Sequence, residues 1–586
     1  MIQSILIIAP IFFALVVMNS ELKARNILII VFVLILSILS VVNIVSQTVA
    51  YESKISHSFH NIFIFIDFVM LLYFLMQGVL SKNHLVSGFA IAQMILYSIV
   101  LSLSPTLTSS DIIVDNISSV MFLVINIVGG VIIIYALKYI ESEEFTSFKK
   151  NGFIAILFFF LAVMNFIVST NNIEIFFLLF ELTTLCSYVL IGYRRDKTST
   201  KNALKALWMN QIGGVAILVA LLFSITQYDT LYFDILIENI DESYLLPIVL
   251  LAIAGFVKGA SIPFEKWLLG AMVAPTPVSA ILHSATMVKI APYMMLKLSP
   301  AMSGFVSVTI TLIGTFVFFA ASALALSKDY FKEILGLSTV ALLALMMALA
   351  AIGSEESMTA CLVLIVFHAI SKALLFFQAG ILEKVSHLKY VTDINGLINH
   401  SPLIVFFIII GFASLTLPPF GAFIAKLMAI ESIAVEITGN PIYVLALIFI
   451  ALGSVFLTLL YFKVVTKLFA KNVDAKMQEK KVIPKLYKIP SFILLVLLII
   501  GVYISFDMEW LSSMEIIVPF VLIAIVPILF ASLLFKKAHR VKEYHCGEKE
   551  ELQLSMYYFE IPQSYKKAIT AVAIVSMIIL VVGVLL

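Results

Sequence analysis

Charge is what this sequence has least of. Only 12% of its 586 residues are Asp, Glu, Lys or Arg, against about 25% in a soluble domain, and no polar tract is long enough for a separate soluble domain. The charges nearly cancel, at a formal net of +2, so net charge suggests no nucleic-acid partner. Cysteine is scarce as well. Cys186, Cys361 and Cys546 stand far apart, with no Cys-x-x-Cys and no Cys/His ligand spacing, so neither a metal nor an iron–sulfur site is expected, and no cofactor. What fills the chain is apolar: 62% hydrophobic residues and a mean hydropathy of +1.12, in runs near the roughly 20 residues that cross a bilayer. The expected fold class is an all-α polytopic membrane protein whose solvent is lipid.

By the length rule the spans fall at 2–18, 26–46, 61–80, 85–103, 116–140, 152–170, 173–193, 204–226, 245–264, 277–298, 304–326, 334–352, 358–382, 402–437, 442–468, 490–506, 515–535 and 568–586, about 18 in all. The first has no basic start and no small-residue cleavage site after it, so it reads as a span and not as a signal peptide. The run 402–437 is too long for one straight crossing. Pro418-Pro419-Phe420-Gly421 interrupts it, and it reads as one broken helix. Orientation follows from the basic loops. Lys23 and Arg25, Lys149 and Lys150, the group from Arg194 to Lys201, the lysines from Lys471 to Lys488, and Lys536, Lys537 and Arg540 are separated by even numbers of spans. All then lie on one face, the cytoplasmic one, and both termini lie outside. The parity holds only if 402–437 crosses once. The polar stretch 536–567 mixes Leu552, Met556 and Phe559 with Lys and Glu. It reads either as an ordinary cytoplasmic loop or as a membrane-surface helix strapping the molecule.

Charges inside apolar runs are the informative exceptions, because each costs about 2.5–3.5 kcal/mol at mid-membrane even on a lenient scale. The stretch 255–289 holds Lys258, Glu265, Lys266, His283 and Lys289 among Pro263, Pro275 and Pro277, each of which removes a backbone donor. Interrupted backbone is tolerated in lipid only inside protein or beside a watery cavity. Broken helix with buried cations reads as half of an ion path. Glu181, in FFLLFELTTLCSYVLIGY, reads as a proton-binding carboxylate; the structural alternative is an acid satisfied by a neighbouring Lys or Thr. Lys205, in KNALKALW, opens the next span and is placed to approach it. Lys258 stands just before the Pro263 break, and its alternative is snorkelling to the interface. A buried amine near a carboxylate is drawn between its neutral and charged forms, which is what passing a proton requires. Glu265 and Lys266, after the break, read as interfacial.

His283 and Lys289 share the span 277–298, about 120° apart on an ideal helix, so they line a path rather than touch. A hydrogen-bonded core histidine is the alternative to a relay, a role that suits imidazole. His368 and Lys372, in VFHAISKALLFF, stand one turn apart on one face, where the repulsion of two cations keeps one of them neutral. Lys426 follows the second proline break, with Glu431 beyond it. Two proline-broken spans, each carrying a lysine, point to an inverted-repeat transporter.

At these residues the chain resembles the antiporter-like subunits shared by respiratory complex I, multisubunit sodium/proton (Mrp) antiporters and membrane-bound nickel–iron hydrogenases. The phrases are DNISSVMFLVINIVGG, FELTTLCSYVLIGY, KNALKALW, PTPVSAILHSATMVK, KEILGLST, HAISKALLF and LTLPPFGAFIAKLMAIE, in order over roughly 115–437. The resemblance implies two inverted five-helix repeats, each with a broken helix, and a C-terminal extension. It implies that Glu181 matches the family's essential glutamate, Lys258 the lysine of the first broken helix, His283 the relay histidine, His368 and Lys372 the central pair, and Lys426 the exit lysine. There are departures. Leu364 stands where the large complex I subunit has a second histidine, and Gln211-Ile212-Gly213-Gly214 where it has Arg-x-Gly-Asp, which removes an acid. The region 61–103 is an extra hairpin of spans where complex I has a mostly polar connection; without it about 16 spans remain, the complex I number.

The expected organisation is 1–114 with the extra hairpin, a core at 115–468, and C-terminal helices at 469–586. The tail CGEKEELQLSMYYFEIPQSYKKAI resembles the large membrane subunits of formate hydrogenlyase and energy-converting (Ech-type) hydrogenases, and the extra C-terminal domain of the large Mrp subunit is not expected here. The resemblance therefore implies, first, a proton-translocating subunit (sodium being an open alternative) of a redox-driven, hydrogenase-type complex in a prokaryotic cytoplasmic membrane. An Mrp-type antiporter subunit or a complex I subunit is the alternative. The expected partners are other membrane and peripheral subunits, which would hold all redox centres; this chain is then an ion-pumping subunit without catalysis of its own. A structural scaffold whose buried charges never titrate is the remaining reading.

Overall fold

In lipid every backbone N–H and C=O must find a partner within the chain, which leaves helix as the default for apolar runs of this length. The computed structural model bears this out. It describes residues 2–20, 22–46, 49–105, 109–241, 244–469, 483–507 and 560–585. Helices α1 (Ile2–Met18) and α2 (Leu22–Ser46) lead to a short strand, β1 (Tyr51–Ser53). The hairpin α3 (His57–Leu80) and α4 (His84–Leu103) follows, and β2 (Ile112–Val114) returns to pair antiparallel with β1, Glu52 opposite Ile113. The hairpin turns tightly because Asn83 caps α4, accepting from the N–H of Leu85 and Val86. Helix α5 (Asn116–Leu123) widens at 124–128 and continues as α6 (Gly129–Glu141).

Two five-membered sets follow. The first is α7 (Ser147–Ile167), α8 (Ile173–Ile191) and α9 (Lys197–Tyr228), then, past the short α10 (Phe233–Asn239), the interrupted pairs α11 (Leu246–Lys258) with α12 (Glu265–Gly270) and α13 (Thr276–Ser284) with α14 (Ile290–Leu298). The second is α15 (Gly304–Leu326), α16 (Phe331–Ile352) and α17 (Glu355–Ile381), the interrupted pair α18 (Pro402–Thr416) and α19 (Gly421–Glu436), and α20 (Tyr443–Phe469). Five crossings put the start of the second set on the face opposite the start of the first, so the sets are inverted, and a broken helix is fourth in each. Helix α21 (Lys485–Asp507) and a last helix, Gln563–Leu585, complete the described chain. Side-chain oxygens of Asp115, Asn172, Asp196 and Ser354 cap α5, α8, α9 and α17, each satisfying a first-turn N–H that the helix leaves free.

Burial sorts these helices from centre to rim. Helix α16 is wholly enclosed, whereas only 17% of the apolar window of Gln563–Leu585 is covered, so the second lies at the rim of the described residues. Among the described residues, 14 helices are long and apolar enough to cross a membrane. The count of about 18 is not confirmed, and the difference has identifiable sources. The span at 2–18 is a short apolar helix, those at 245–264 and 277–298 are interrupted, and 515–535 lies outside the described residues. The run 402–437 is a single candidate crossing, broken at 417–420 as expected. Most of the stretch 536–567, with Cys546, also lies outside the described residues, as do Lys471, Lys476, Lys480, Lys481, Lys536, Lys537 and Arg540.

Candidate functional site

The first buried charge centre is built where α8, α9, α4 and the end of α11 meet. Glu181 is fully buried on α8. Its Oε1 accepts from Gln93 Nε2 of α4 at 2.8 Å, and its Oε2 has no partner. Gly214 of α9 lies against it so closely that a Cβ there would sit 1.9 Å from Oε1 and 2.3 Å from Gln93 Nε2. The acid missing from Gln211-Ile212-Gly213-Gly214 therefore makes room for an amide supplied by the extra hairpin.

Lys258 is the last residue of α11, at the break. Its Nζ donates to Phe180 O at 3.0 Å and to Thr184 Oγ1 at 2.9 Å, and lies 3.7 Å from the centre of the Phe180 ring, a cation–π distance. Lys258 is fully buried and so does not snorkel. Glu181 and Lys258 make no direct ion pair; Lys258 bonds Thr184, which stands one turn beyond Glu181 on α8 and donates to Phe180 O. The break is held by Trp267, whose Nε1 donates to Val257 O at 2.9 Å, taking up a carbonyl that an interrupted helix would strand. The expected pairing of Lys205 with Glu181 is not made. The α9 residue level with Glu181 is Gly214, about two and a half turns beyond Lys205, and Lys205 is only half-buried.

The second centre joins α13, the turn before α14, α16 and α17. His283 and Lys289 do not share a helix, which corrects the expectation of a continuous span. Helix α13 ends at Ser284, Thr286 Oγ1 caps Ile281 O at 2.8 Å, and Met287–Lys289 form a tight turn before α14. The turn aims Lys289 across to α17, where its Nζ lies 2.8 Å from His368 Nδ1. One of those two nitrogens must carry a lone pair for the contact to be a hydrogen bond. His368 and Lys372 share a face but bond in different directions: Lys372 Nζ donates to Leu335 O and Ser338 Oγ of α16. His283 is buried with both ring nitrogens unpartnered, its ring 4.9 Å from that of Phe376. Lys426, 4% exposed on α19, lines a cavity of about 330 Å³ with Thr416, Ser454 and Thr458. Glu431 and Lys266 are exposed, and Glu265 is half-buried.

Sequence reasoning does not single out Gln93, Thr184 or Ser338, whose residue types are unremarkable in an apolar helix. Asp67 is different. It is 1% exposed in the middle of α3, and the rule that an acid inside an apolar run is expensive would have found it.

A helical bundle of two inverted sets with a row of buried ionisable side chains defines an antiporter-like membrane protein. Matches to known proteins agree. The family described as NADH:quinone oxidoreductase/Mrp antiporter, TM, matches residues 170–458, and that described as NADH-Ubiquinone oxidoreductase (complex I), chain 5 N-terminus, matches 106–148. Together they take in more than half of the chain and every residue from Glu181 to Lys426, and the chain belongs to this antiporter-like membrane family. Relatives include a Na(+)/H(+) antiporter subunit of Alkalihalophilus pseudofirmus, 32% identical over 63% of this chain and 49% of the relative. The corresponding Na(+)/H(+) antiporter subunit of Staphylococcus haemolyticus is 31% identical over 57% and 44%, and that of Staphylococcus aureus 30% over 55% and 42%. The matched part is thus less than half of the length of each relative. The family and relatives carry the names of subunits of larger assemblies.

Proposed function

We propose that this chain is an ion-translocating membrane subunit of an Mrp-like sodium/proton antiporter, in which Glu181, Lys258, His283, Lys289, His368, Lys372 and Lys426 pass protons between two half-channels. Lys205 belongs to the same path only as a half-buried group near its edge. The observation that carries the reading is the direct contact of two fully buried ionisable side chains, Lys289 Nζ and His368 Nδ1, with the fully buried Glu181 and Lys258 gathered at a second centre around α8. A charge arriving on one group changes the affinity of the next for its proton, and an imidazole such as His368 can both donate and accept one. The relatives, named as antiporter subunits, support this alternative better than the hydrogenase-type reading, most of whose distinguishing tail lies outside the described residues. The proposed setting is a prokaryotic cytoplasmic membrane, with both termini outside and with other membrane subunits as partners. Residues 115–468 form the transporting core.

The test uses membrane vesicles containing the whole complex. A sodium gradient imposed without any electron donor should drive counterflow of protons, read as a pH-dye response. Proton movement that requires hydrogen or another reductant and ignores sodium would replace the antiporter reading with the redox-driven one.

A further inference from the structure

The extra hairpin holds a second buried polar group that the row above does not use. His60 and Asp67 stand on α3, Gln93 and Tyr97 on α4, Glu174 and Glu181 on α8, none more than 8% exposed. His60 Nε2 lies 3.1 Å from Glu174 Oε2, and Tyr97 Oη donates to Glu174 Oε1 at 2.9 Å. Phe68, the neighbour of Asp67 on α3, packs its ring 5.4 Å from that of Tyr97. The spacing is orderly. His60 and Asp67, like Glu174 and Glu181, are seven residues apart, about two turns and 10 Å on one helix face, and Gln93 and Tyr97 are one turn apart. The chain of groups therefore descends from the end of the bundle that carries β1 and β2, where α3 and α8 begin, toward Glu181.

Two atoms mark it as more than packing. Asp67 Oδ1 and Gln93 Oε1 are buried without a partner, each a loss of about 1–3 kcal/mol. Helix α3, which carries Asp67, packs on both α4 and α8, the helices that bring Gln93 and Glu181 together. A metal ion is a poor occupant: both oxygens of Glu174 are engaged, and a bare cation needs several oxygen ligands at once. Among the described residues no group of three or more His, Cys, Asp or Glu could hold one.

We propose that the α3–α4 hairpin is an auxiliary proton inlet, with His60, Glu174, Tyr97 and Asp67 handing protons between the sheet-bearing face and Glu181 beside Gln93. The proposal rests on Glu181 being a proton-accepting group of the transport path. The carrier at each step is a lone pair and a proton already on the residues named, so no co-reactant enters. Because Gln93 is the group of the hairpin that touches Glu181, the hairpin both shapes the first charge centre and feeds it.

The test compares Asp67→Asn, Tyr97→Phe and Asp67→Glu with Glu181→Gln, in vesicles containing the whole complex and with the amount of chain in the membrane measured. Asp67→Asn and Tyr97→Phe should slow proton counterflow by about tenfold, less than the roughly 100-fold or more of a positioned proton-transfer group, because the inlet is auxiliary. The sodium concentration for half-maximal rate should stay unchanged, and Asp67→Glu should recover most of the rate. Should Asp67→Asn fail to reach the membrane, Tyr97→Phe, which keeps the ring, carries the test. Wild-type rates in both variants, with Glu181→Gln inactive, overturn the inlet alone. An active Glu181→Gln overturns the parent reading. A shifted sodium dependence in Asp67→Asn would mean a metal ion sits there and overturns the proton inlet.

Discussion

The chain up to Lys258 and the chain from Lys289 onward carry their charges differently. Among the described residues every carboxylate buried below 9% exposure (Asp67, Asp111, Glu174 and Glu181) precedes Lys258, whereas the second centre and the helices beyond it bury Lys289, His368, Lys372 and Lys426 with no fully buried acid. In the first region a buried cation and a buried carboxylate share one neighbourhood without a direct ion pair, Lys258 bonding Thr184 and Glu181 bonding Gln93. In the second, amines and imidazoles face each other and backbone carbonyls. Such a row cannot be charged throughout, because each added proton raises the energy of its neighbours' charged forms. The first region thus resembles a switch with two stable pairings. The second resembles a conductor able to hold one extra charge at a time.

The sharpest way to break that contrast is to remove the pairing. Glu181→Gln or Lys258→Met should each lower proton counterflow by roughly 100-fold or more, within the range of a lost proton-transfer group, while the complex still assembles. The double variant should be no worse than either single one, as for residues that act as a unit. Wild-type rate in either single variant would remove the switch altogether. Lys372→Met should also stop transport, but without the double-variant equivalence, since Lys372 has no carboxylate partner.

A smaller effect separates the hairpin's contribution from that of α8. Gly214→Ala would place a methyl group in contact with both Glu181 and Gln93. Overpacking of this kind costs about 1–3 kcal/mol, and here the side chains able to move are the functional ones. Transport should fall several-fold, with a modest drop in melting temperature. A variant with reduced stability but unchanged transport would show that the Gln93–Glu181 contact is structural only.

How far the sequence goes follows from the same physics. Glu181, Lys258, Lys289, His368, Lys372 and Lys426 are legible because lipid makes an ionisable residue conspicuous, and Pro418-Pro419 announces the break at 417–420. What cannot be read is who meets whom. Lys205 opens the span next to that of Glu181, yet the side chain that reaches Glu181 is Gln93 of α4, 88 residues away. The interruption between His283 and Lys289 is hidden because Ala285-Thr286 carries no proline or glycine signal. The hairpin 61–103 stands out as additional, and its Asp67 is legible by the cost of an acid in an apolar run although no family phrase contains it.

The smallest effect probes the face away from the hairpin inlet, where the two sets are clamped together. Glu143, in the loop after α6, accepts from Arg194 beyond α8 at 2.9 Å and pairs with Lys384 beyond α17 at 2.7 Å. Partial burial works against its charge, but Lys384 and Arg194 outweigh that and hold its pKa below the ordinary carboxylate value. A folded pKa below the unfolded one gives stability that is fully present above the unfolded value and is lost as pH falls through the folded value. Glu143→Gln should therefore destabilise the purified protein at neutral pH by about 1 kcal/mol, discounted because Arg194 and Lys384 are partly exposed. The gap to wild type should close in acid, while transport at neutral pH stays near normal. A melting-temperature difference that persists unchanged in acid would show that the clamp owes its strength to packing and not to charge.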